Sequence, residues 1–282
     1  MVGMKIGTVT LIWTDDFNES HLELMPRIKE HGFDGLEVIT FKIPGFPAAA
    51  VRRAAEQNGL ELTFTTAFTG GFSFVSEDAA ARRQAAVFMQ DCVRLAADLG
   101  SKVFCGPFYA PLGYMPGRRR TTEEWQRVVE GLQEAAEFAA RNGVKLGVEF
   151  LNRYETYFLT TAGEALALCQ EVDHPNLGVL FDAYHANIEE KNLPEAVRRL
   201  GRYIVNVHAS ENDRGIPGSG HIDWPGIIQA LKEAGYDGFL VIESFGYTMP
   251  AIAAATCIWR DLAPTPEDIA FQGVKYLRRL LA

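Results

Sequence analysis

Short apolar runs recur along the chain, each followed by a stretch whose apolar residues return at helical spacing. The runs are KIGTVTLIW (5–13), GLEVIT (35–40), ELTFTTAF (61–68), SKVFCG (101–106), KLGVEF (145–150), LGVLFD (177–182), YIVNVHA (203–209) and FLVIES (239–244). They are rich in Val, Ile, Leu and Phe, as strands covered on both faces are, because neither face needs polar residues. Between them lie amphipathic stretches such as EEWQRVVEGLQEAAEFAARNG (123–143), where Trp125, Val128, Val129, Leu132, Ala136 and Ala139 fall near one helical face. Several helices end on a glycine just before the next run, in KEHGFDG, AEQNGLE, AADLGSK, AARNGVK and KEAGYDG. Glycine past a helix end adopts the left-handed C-cap conformation without strain. Eight such units, with no linker or low-complexity tract between them, predict an α/β fold: a closed (β/α)8 TIM barrel forming one domain over residues 1–282. A doubly wound sheet would need fewer strands and a switch point. The stretch PEDIAFQGVKYLRRLLA is expected to close the outer helical ring.

Polar residues interrupt this pattern at telling places. Glu149 lies inside the apolar run GVEFL, Asp182 ends GVLFD, His208 ends IVNVH and Glu243 follows LVI. An ionised carboxylate does not stay in apolar surroundings unless it is paired, hydrogen-bonded or bound to a cation. In a TIM barrel the carboxyl ends of the strands form the active-site face, so one polar residue on each of four adjacent strands converges on one point. Three carboxylates there repel, and one is forced to take up a proton unless a cation is present. An oxygen-rich set with one imidazole suits a divalent ion such as Mn²⁺, Mg²⁺ or Co²⁺. Four core groups, each salt-bridged separately, would need four coincidences at one face. Glu155, His185 and Arg214 follow the first three by a few residues, which places them on loops over the same mouth. Such groups can donate to, or accept from, sugar hydroxyls and a developing oxyanion. Phe245, just past Glu243, is the candidate pocket wall, and Glu37 reads as a partner of the site or a buried ion pair. Trp13, Phe17, Phe108 and Tyr109 read first as core. His21, His31 and His174 read as surface residues, and His221 in GSGHIDW stays open.

The formal charge of −9 argues against a nucleic-acid partner, which requires Lys and Arg to neutralise phosphates. The one dense basic run, Arg118-Arg119-Arg120, reads as a solvated loop. Cys92, Cys105, Cys169 and Cys257 are scattered, with no C-x-x-C pair, and Cys105 and Cys169, in apolar runs, read as buried reduced thiols. No secretory leader and no membrane-length apolar run is seen. A cytoplasmic protein is expected, with no membrane partner, assembling as a homodimer or homotetramer. No G-x-G-x-x-G follows the first strand, so no nucleotide cofactor is expected.

The segments VEFLNRYE, FDAYHANIEE, VHASENDR, GSGHIDW, GYDGFLVIES and IWRD resemble the ketose 3-epimerases, the D-tagatose/D-allulose (psicose) 3-epimerase group of the xylose-isomerase-like barrels. The similarity runs over essentially the whole chain and is most specific from 145 to 261. It implies a metal held by Glu149, Asp182, His208 and Glu243, with Glu149 and Glu243 as the acid–base pair. It implies a sugar gripped by Glu155, His185 and Arg214. The expected activity is epimerisation of free ketoses of the D-tagatose, D-fructose and D-allulose type at C3, through a cis-enediolate. The expected cofactor is one divalent ion, Mn²⁺ or Co²⁺, with Mg²⁺ as the alternative. A hydroxypyruvate-type aldose–ketose isomerase and an inosose-type dehydratase would use the same ion and enediolate. A DNA-repair endonuclease of the superfamily would need histidines at the ends of strands three and four, where TTAFTGG and CGPFYA have none. The first half of the chain does not fix the sugar.

Overall fold

The computed structural model describes residues 3–282. Among these residues, eight parallel strands close into a barrel in chain order: β1 (Lys5–Val9), β2 (Gly35–Ile39), β3 (Glu61–Thr65), β4 (Val103–Gly106), β5 (Lys145–Glu149), β6 (Leu177–Asp182), β7 (Ile204–His208) and β8 (Phe239–Ile242). β8 pairs with β1, from Lys5 against Phe239 to Thr8 against Ile242, and this pairing removes the free sheet edges. Around the barrel run α1 (Leu24–Glu30), α2 (Ala48–Gln57), α3 (Ala79–Asp98), α4 (Thr122–Arg141) and α5 (Ala162–Val172). They are followed by α6 (Ala183–Glu189), α7 (Leu193–Leu200), α8 (Trp224–Glu233), α9 (Pro250–Thr256) and α10 (Pro266–Leu281). β2 and β6 are buried along their whole length, which is why their sequences carry no alternation.

Each predicted strand appears; LGVLFD (177–182) is kept whole as β6 and the others are shortened at one or both ends. The largest difference is β1, which stops at Val9. There Thr10 Oγ1 accepts the N–H of Ile39 at 3.1 Å, and the chain turns into a short 3-10 segment, Thr10–Ile12, at the barrel rim. The predicted glycine caps take positive φ, for example 67° at Gly143 and 70° at Gly235.

β6 and β7 are joined through an irregular register. Val179 faces Ile204, but Leu180 faces Asn206, so Val205 is an extra residue in β7. The neighbouring strands make room for it. A Cβ at Gly147 would lie 2.7 Å from Val205 Cγ2, and Gly178 faces the same side chain. Beyond the bulge Asp182 stands directly beside His208.

α4 shows how local sequence starts and docks a helix. Thr121 Oγ1 accepts the N–H of Glu124 at 3.2 Å, and Glu124 Oε2 accepts the N–H of Thr121 at 2.7 Å, a reciprocal cap. Val128, Val129, Leu132, Ala136 and Ala139 are buried against the barrel, as the spacing predicts. The basic run before α4 is a loop with Arg118 and Arg119 exposed, as expected, but two of its side chains are also paired. Arg118 makes two hydrogen bonds to Glu124, at 2.8 and 2.9 Å, and Arg120 donates to Glu164 and to the Phe158 carbonyl at 2.7 and 2.6 Å. Acidic partners on α4 and α5 thus hold two of the three guanidiniums.

The paired Arg118 guanidinium, backed by the cap N–H and Tyr157, outweighs burial and holds the Glu124 carboxyl at about 2, below its ordinary 4.5. A depressed value stabilises the fold above the unfolded value and loses that contribution as pH falls through the folded one. The stability gap between wild type and Glu124→Gln, measured by denaturant unfolding, is therefore expected to be full at neutral pH. It should close between about 4.5 and about 2. A gap that does not change with pH would contradict this account of the α4 cap.

Candidate active site

Glu149, Asp182 and His208 are the last residues of β5, β6 and β7, and Glu243 directly follows β8. Ligand atoms of Glu149, Asp182 and His208 all lie within 4.8 Å of one another, and all three side chains are buried. Glu243 reaches the same point, with Oε1 at 3.2 Å from His208 Nδ1. Nδ1 is also 3.7 Å from Asp182 Oδ2, yet neither oxygen is aligned to accept from it, so it is a buried nitrogen without a hydrogen-bond partner. The other ring nitrogen, Nε2, lies 2.7 Å from Glu37 Oε1. A lone pair on Nδ1 surrounded by carboxylate oxygens is a donor set that fits a divalent ion.

The titration behaviour follows from the crowding. Burial, with Glu243 and Asp182 adding to it, holds the Glu149 carboxyl well above the usual carboxylate range, although His208 acts against this. Burial also pushes Asp182 up, but the Arg214 guanidinium outweighs it, with hydrogen bonds adding to the effect, and Asp182 lies well below that range. For His208, burial opposes the proton, and the Glu243 and Glu37 carboxylates more than reverse this. Glu149 and His208 thus hold a proton more readily than usual, whereas Asp182 stays ionised between them.

Arg214 lines the mouth with its side chain buried. Its Nη1 donates to Asp182 Oδ2 and to Ser210 Oγ, each at 2.8 Å, and also to Glu243 Oε2. The guanidinium carbon lies 3.9 Å from the centre of the Tyr184 ring and 5.1 Å from that of Phe245. Flanking rings restrict such a group and stabilise its charge. The backbone of Arg214 has a φ of 65°, a conformation side-chain-bearing residues seldom adopt, and Ser244 Oγ holds its carbonyl at 2.6 Å.

His185 is oriented from below. Its Nδ1 accepts the backbone N–H of Asn152 at 3.2 Å and the Asn152 side-chain amide at 2.9 Å. Burial lowers its proton affinity, and because Nδ1 accepts from the Asn152 N–H, the hydrogen of the neutral ring belongs on Nε2. That nitrogen is 3.2 Å from Arg214 Nη2, which puts two donors side by side above the carboxylates. Asn152 also donates to Glu155 Oε1 at 2.7 Å, so one amide places both loop residues.

The loop after β7 is built around Glu211. Its Oε1 accepts the N–H groups of Asn212 and Ile222 at 3.1 and 3.2 Å. Its Oε2 accepts from Gly218 N and Trp224 Nε1 at 2.7 and 2.9 Å. A Cβ at Gly220 would come within 2.6 Å of Glu211 Oε1, so the GSGHIDW segment holds its glycine for close approach. His221 lies outside the ligand cluster, with Nε2 at 3.2 Å from Asn187 Oδ1. Phe108 and Tyr109 are core residues, and His31 stacks on Phe271 at 3.7 Å.

Above the cluster opens a cavity of about 380 Å³, lined by Leu11, Asp15, Phe41, Leu112, Glu155, Tyr184, Arg214, Phe245 and the inner face of α9. Sequence reasoning missed Tyr184, although it lies inside DAYH, because an aromatic after a strand has no periodic signature. It missed Asn152 and α9 as well, since polar loop residues and a seven-residue alanine-rich turn carry weak signals.

The xylose isomerase-like TIM barrel family matches residues 25–280. A Synechocystis sp. protein named "Probable ketose 3-epimerase" is 33% identical over 98% of this chain and 96% of its own length. A D-psicose 3-epimerase of Ruminiclostridium cellulolyticum is 30% identical over 92% of this chain and 90% of its own. The crystal structure of a D-allulose 3-epimerase from Methylomonas sp. superposes with a TM-score of 0.93 at 27% identity, covering 100% and 99% of the two chains. These similarities span the barrel and the loops that carry Glu155, His185 and Arg214. The chain belongs to the ketose 3-epimerases, sugar isomerases within the xylose isomerase-like TIM barrel family.

Proposed function

We propose that the protein epimerises free ketoses of the D-tagatose, D-fructose and D-allulose class at C3, with Glu149 and Glu243 as the acid–base pair. The observation that carries this reading is the arrangement of the two glutamates. They rise from β5 and from the end of β8, with Asp182 and His208 between them, so they approach a substrate from different sides. Glu149, Asp182, His208 and Glu243 would hold one divalent ion, Mn²⁺ or Co²⁺ by the mixed oxygen–imidazole donor set, with Mg²⁺ as the alternative. When bound, such an ion supplies Lewis acidity and a template for vicinal oxygens.

The C3 proton of a ketose is acidic because the neighbouring C2 carbonyl accepts the electron pair. One glutamate takes that proton, the C3–H bond pair moves into the C2–C3 bond, and the carbonyl pair moves onto O2. The product is a cis-enediolate. The second glutamate delivers a proton to the opposite face of C3, and the configuration inverts. Nε2–H of His185 and the guanidinium of Arg214 are adjacent donors, suited to the charge that develops on the oxygens. Glu155, half-exposed at the mouth, can accept from a substrate hydroxyl. The apolar wall of Leu11, Leu112, Phe245 and Ile252 excludes water from the reacting carbons and grips the distal chain loosely. The buried thiols of Cys92, Cys105 and Cys169 support a reducing cytoplasm as the setting. Among the described residues no helix is long and apolar enough to cross a membrane. A homodimer or homotetramer belongs to the same reading, supported by the exposed rings of Tyr154 and Trp259.

Turnover in D₂O tests the chemistry. Deuterium is expected at C3 of a ketose product. Deuterium at C1 with an aldose product would establish an aldose–ketose isomerase instead. Glu149→Gln and Glu243→Gln should each lose epimerisation by more than the roughly 10²–10⁴-fold typical of a single acid or base, because each also weakens ion binding.

Arg214→Ala and His185→Ala should lower kcat/KM by about one to two decades, as expected for losing a charged hydrogen bond of roughly 1.5–3 kcal/mol. Metal content measured by atomic emission should stay at one ion per chain in both. Loss of the ion from either variant would move that residue from the sugar grip into the metal site. Chelation should abolish turnover and lower the melting temperature, since an ion bound only by the folded state stabilises it.

A further inference from the structure

We propose that Glu37 sets which divalent ion the site prefers, by holding the His208 imidazole as a strong Nδ1 donor. This rests on the reading of Glu149, Asp182, His208 and Glu243 as a metal site. Glu37 lies on β2, on the far side of β1 and β8 from His208, and its side chain crosses the barrel interior, fully buried. Its Oε1 is 2.7 Å from His208 Nε2. Its Oε2 accepts from Thr63 Oγ1 and from Asn206 Nδ2, each at 2.8 Å. Thr63, Asn206 and His208 come from β3 and β7, so one carboxylate ties three strands together beneath the cluster.

Every partner of this carboxylate is a donor, which fixes the ring. The hydrogen between His208 and Glu37 sits on Nε2, which leaves Nδ1 as the ring atom whose lone pair a divalent ion would take in place of a second proton. Nδ1 has no hydrogen-bond partner and faces the oxygens of Asp182 and Glu243. An anion behind the imidazole also raises its strength as a donor. The nearby negative charge of Glu37 attracts every divalent ion alike, but donor strength does not act alike. It favours ions that bond imidazole well, which gain along the order from Mn²⁺ to Co²⁺, over oxygen-seeking Mg²⁺. A purely structural strut would weaken all three ions by the same factor.

The test is titration calorimetry of Co²⁺, Mn²⁺ and Mg²⁺ on metal-stripped full-length protein, wild type against Glu37→Gln and Glu37→Asp. Glu37→Gln is expected to weaken Co²⁺ by about 10–100-fold and Mg²⁺ by less, so the Co²⁺-to-Mg²⁺ preference falls. Glu37→Asp keeps the charge but draws it back from Nε2. It should lose the same preference with Mg²⁺ affinity close to wild type, and it decides the matter if the glutamine variant does not fold. The visible absorption of bound Co²⁺ should shift in both. An unchanged preference in a folded variant overturns the proposal. So does ¹⁵N NMR of the Zn²⁺-loaded wild type showing the His208 proton on Nδ1 and the ion on Nε2. If the wild type binds none of the ions, the metal-site reading itself fails, and this inference with it.

Discussion

Several acids share the interior at one end of this barrel, and their mutual repulsion is the constraint to which the rest of the site answers. Glu37, Glu149, Asp182 and Glu243 are all buried, yet each strand that delivers one is also part of a tightly packed ring. Isolated buried charges would cost several kcal/mol each. The chain answers with donors chosen one by one. Glu37 receives a hydroxyl, an amide and an imidazole N–H, and Asp182 and Glu243 receive the Arg214 guanidinium. Glu149 is the carboxylate for which burial and neighbours leave the proton most firmly in place. The same crowding that makes the fold expensive makes it a place where a cation, or a proton in transit, is welcome.

The loops complete the arrangement by unusual backbone rather than by length. Arg214 adopts a left-handed conformation, and its neighbours hold it there: Ser244 takes its carbonyl, two aromatic rings flank its guanidinium, and Glu211 gathers the loop that carries it. Strain of this kind persists only when the surroundings over-determine it. Asn152 does similar work on the neighbouring loop, where one amide orients both His185 and Glu155. The two donors above the carboxylates are therefore set in place before any sugar arrives, and little ordering remains to oppose binding.

Much of this was legible in the sequence because barrel strands are simple. Double burial writes itself as apolar runs, and a carboxylate or imidazole ending such a run stands out, as Glu149, Asp182, His208 and Glu243 do. The helix-ending glycines are equally plain. What could not be read were relations between segments far apart in the chain. The bond from Glu37 to His208 spans 171 positions, and nothing in either strand names the other. Arg118 and Arg120 sit on a solvated loop as expected, but which carboxylates on α4 and α5 they pair with is not written beside them. Tyr184 and Asn152 matter through where they point, which depends on the loop path and not on periodicity.

The extra residue at Val205 carries a consequence of its own. A strand presents alternate side chains to alternate sides, so dropping one residue turns everything beyond it the other way. Were β7 regular from Ile204 onward, Asp182 would face residue 207, and the imidazole would leave the cluster. The bulge survives because Gly147 and Gly178, on β5 and β6, each leave a space about the size of a methyl group for the Val205 side chain. His208 is three residues further on, roughly 10 Å along the strand. The alignment of the polar cluster is thus recorded as empty room at the half-buried floor of the barrel. Change there would disperse the cluster while Glu149, Asp182, His208 and Glu243 all remained in the sequence.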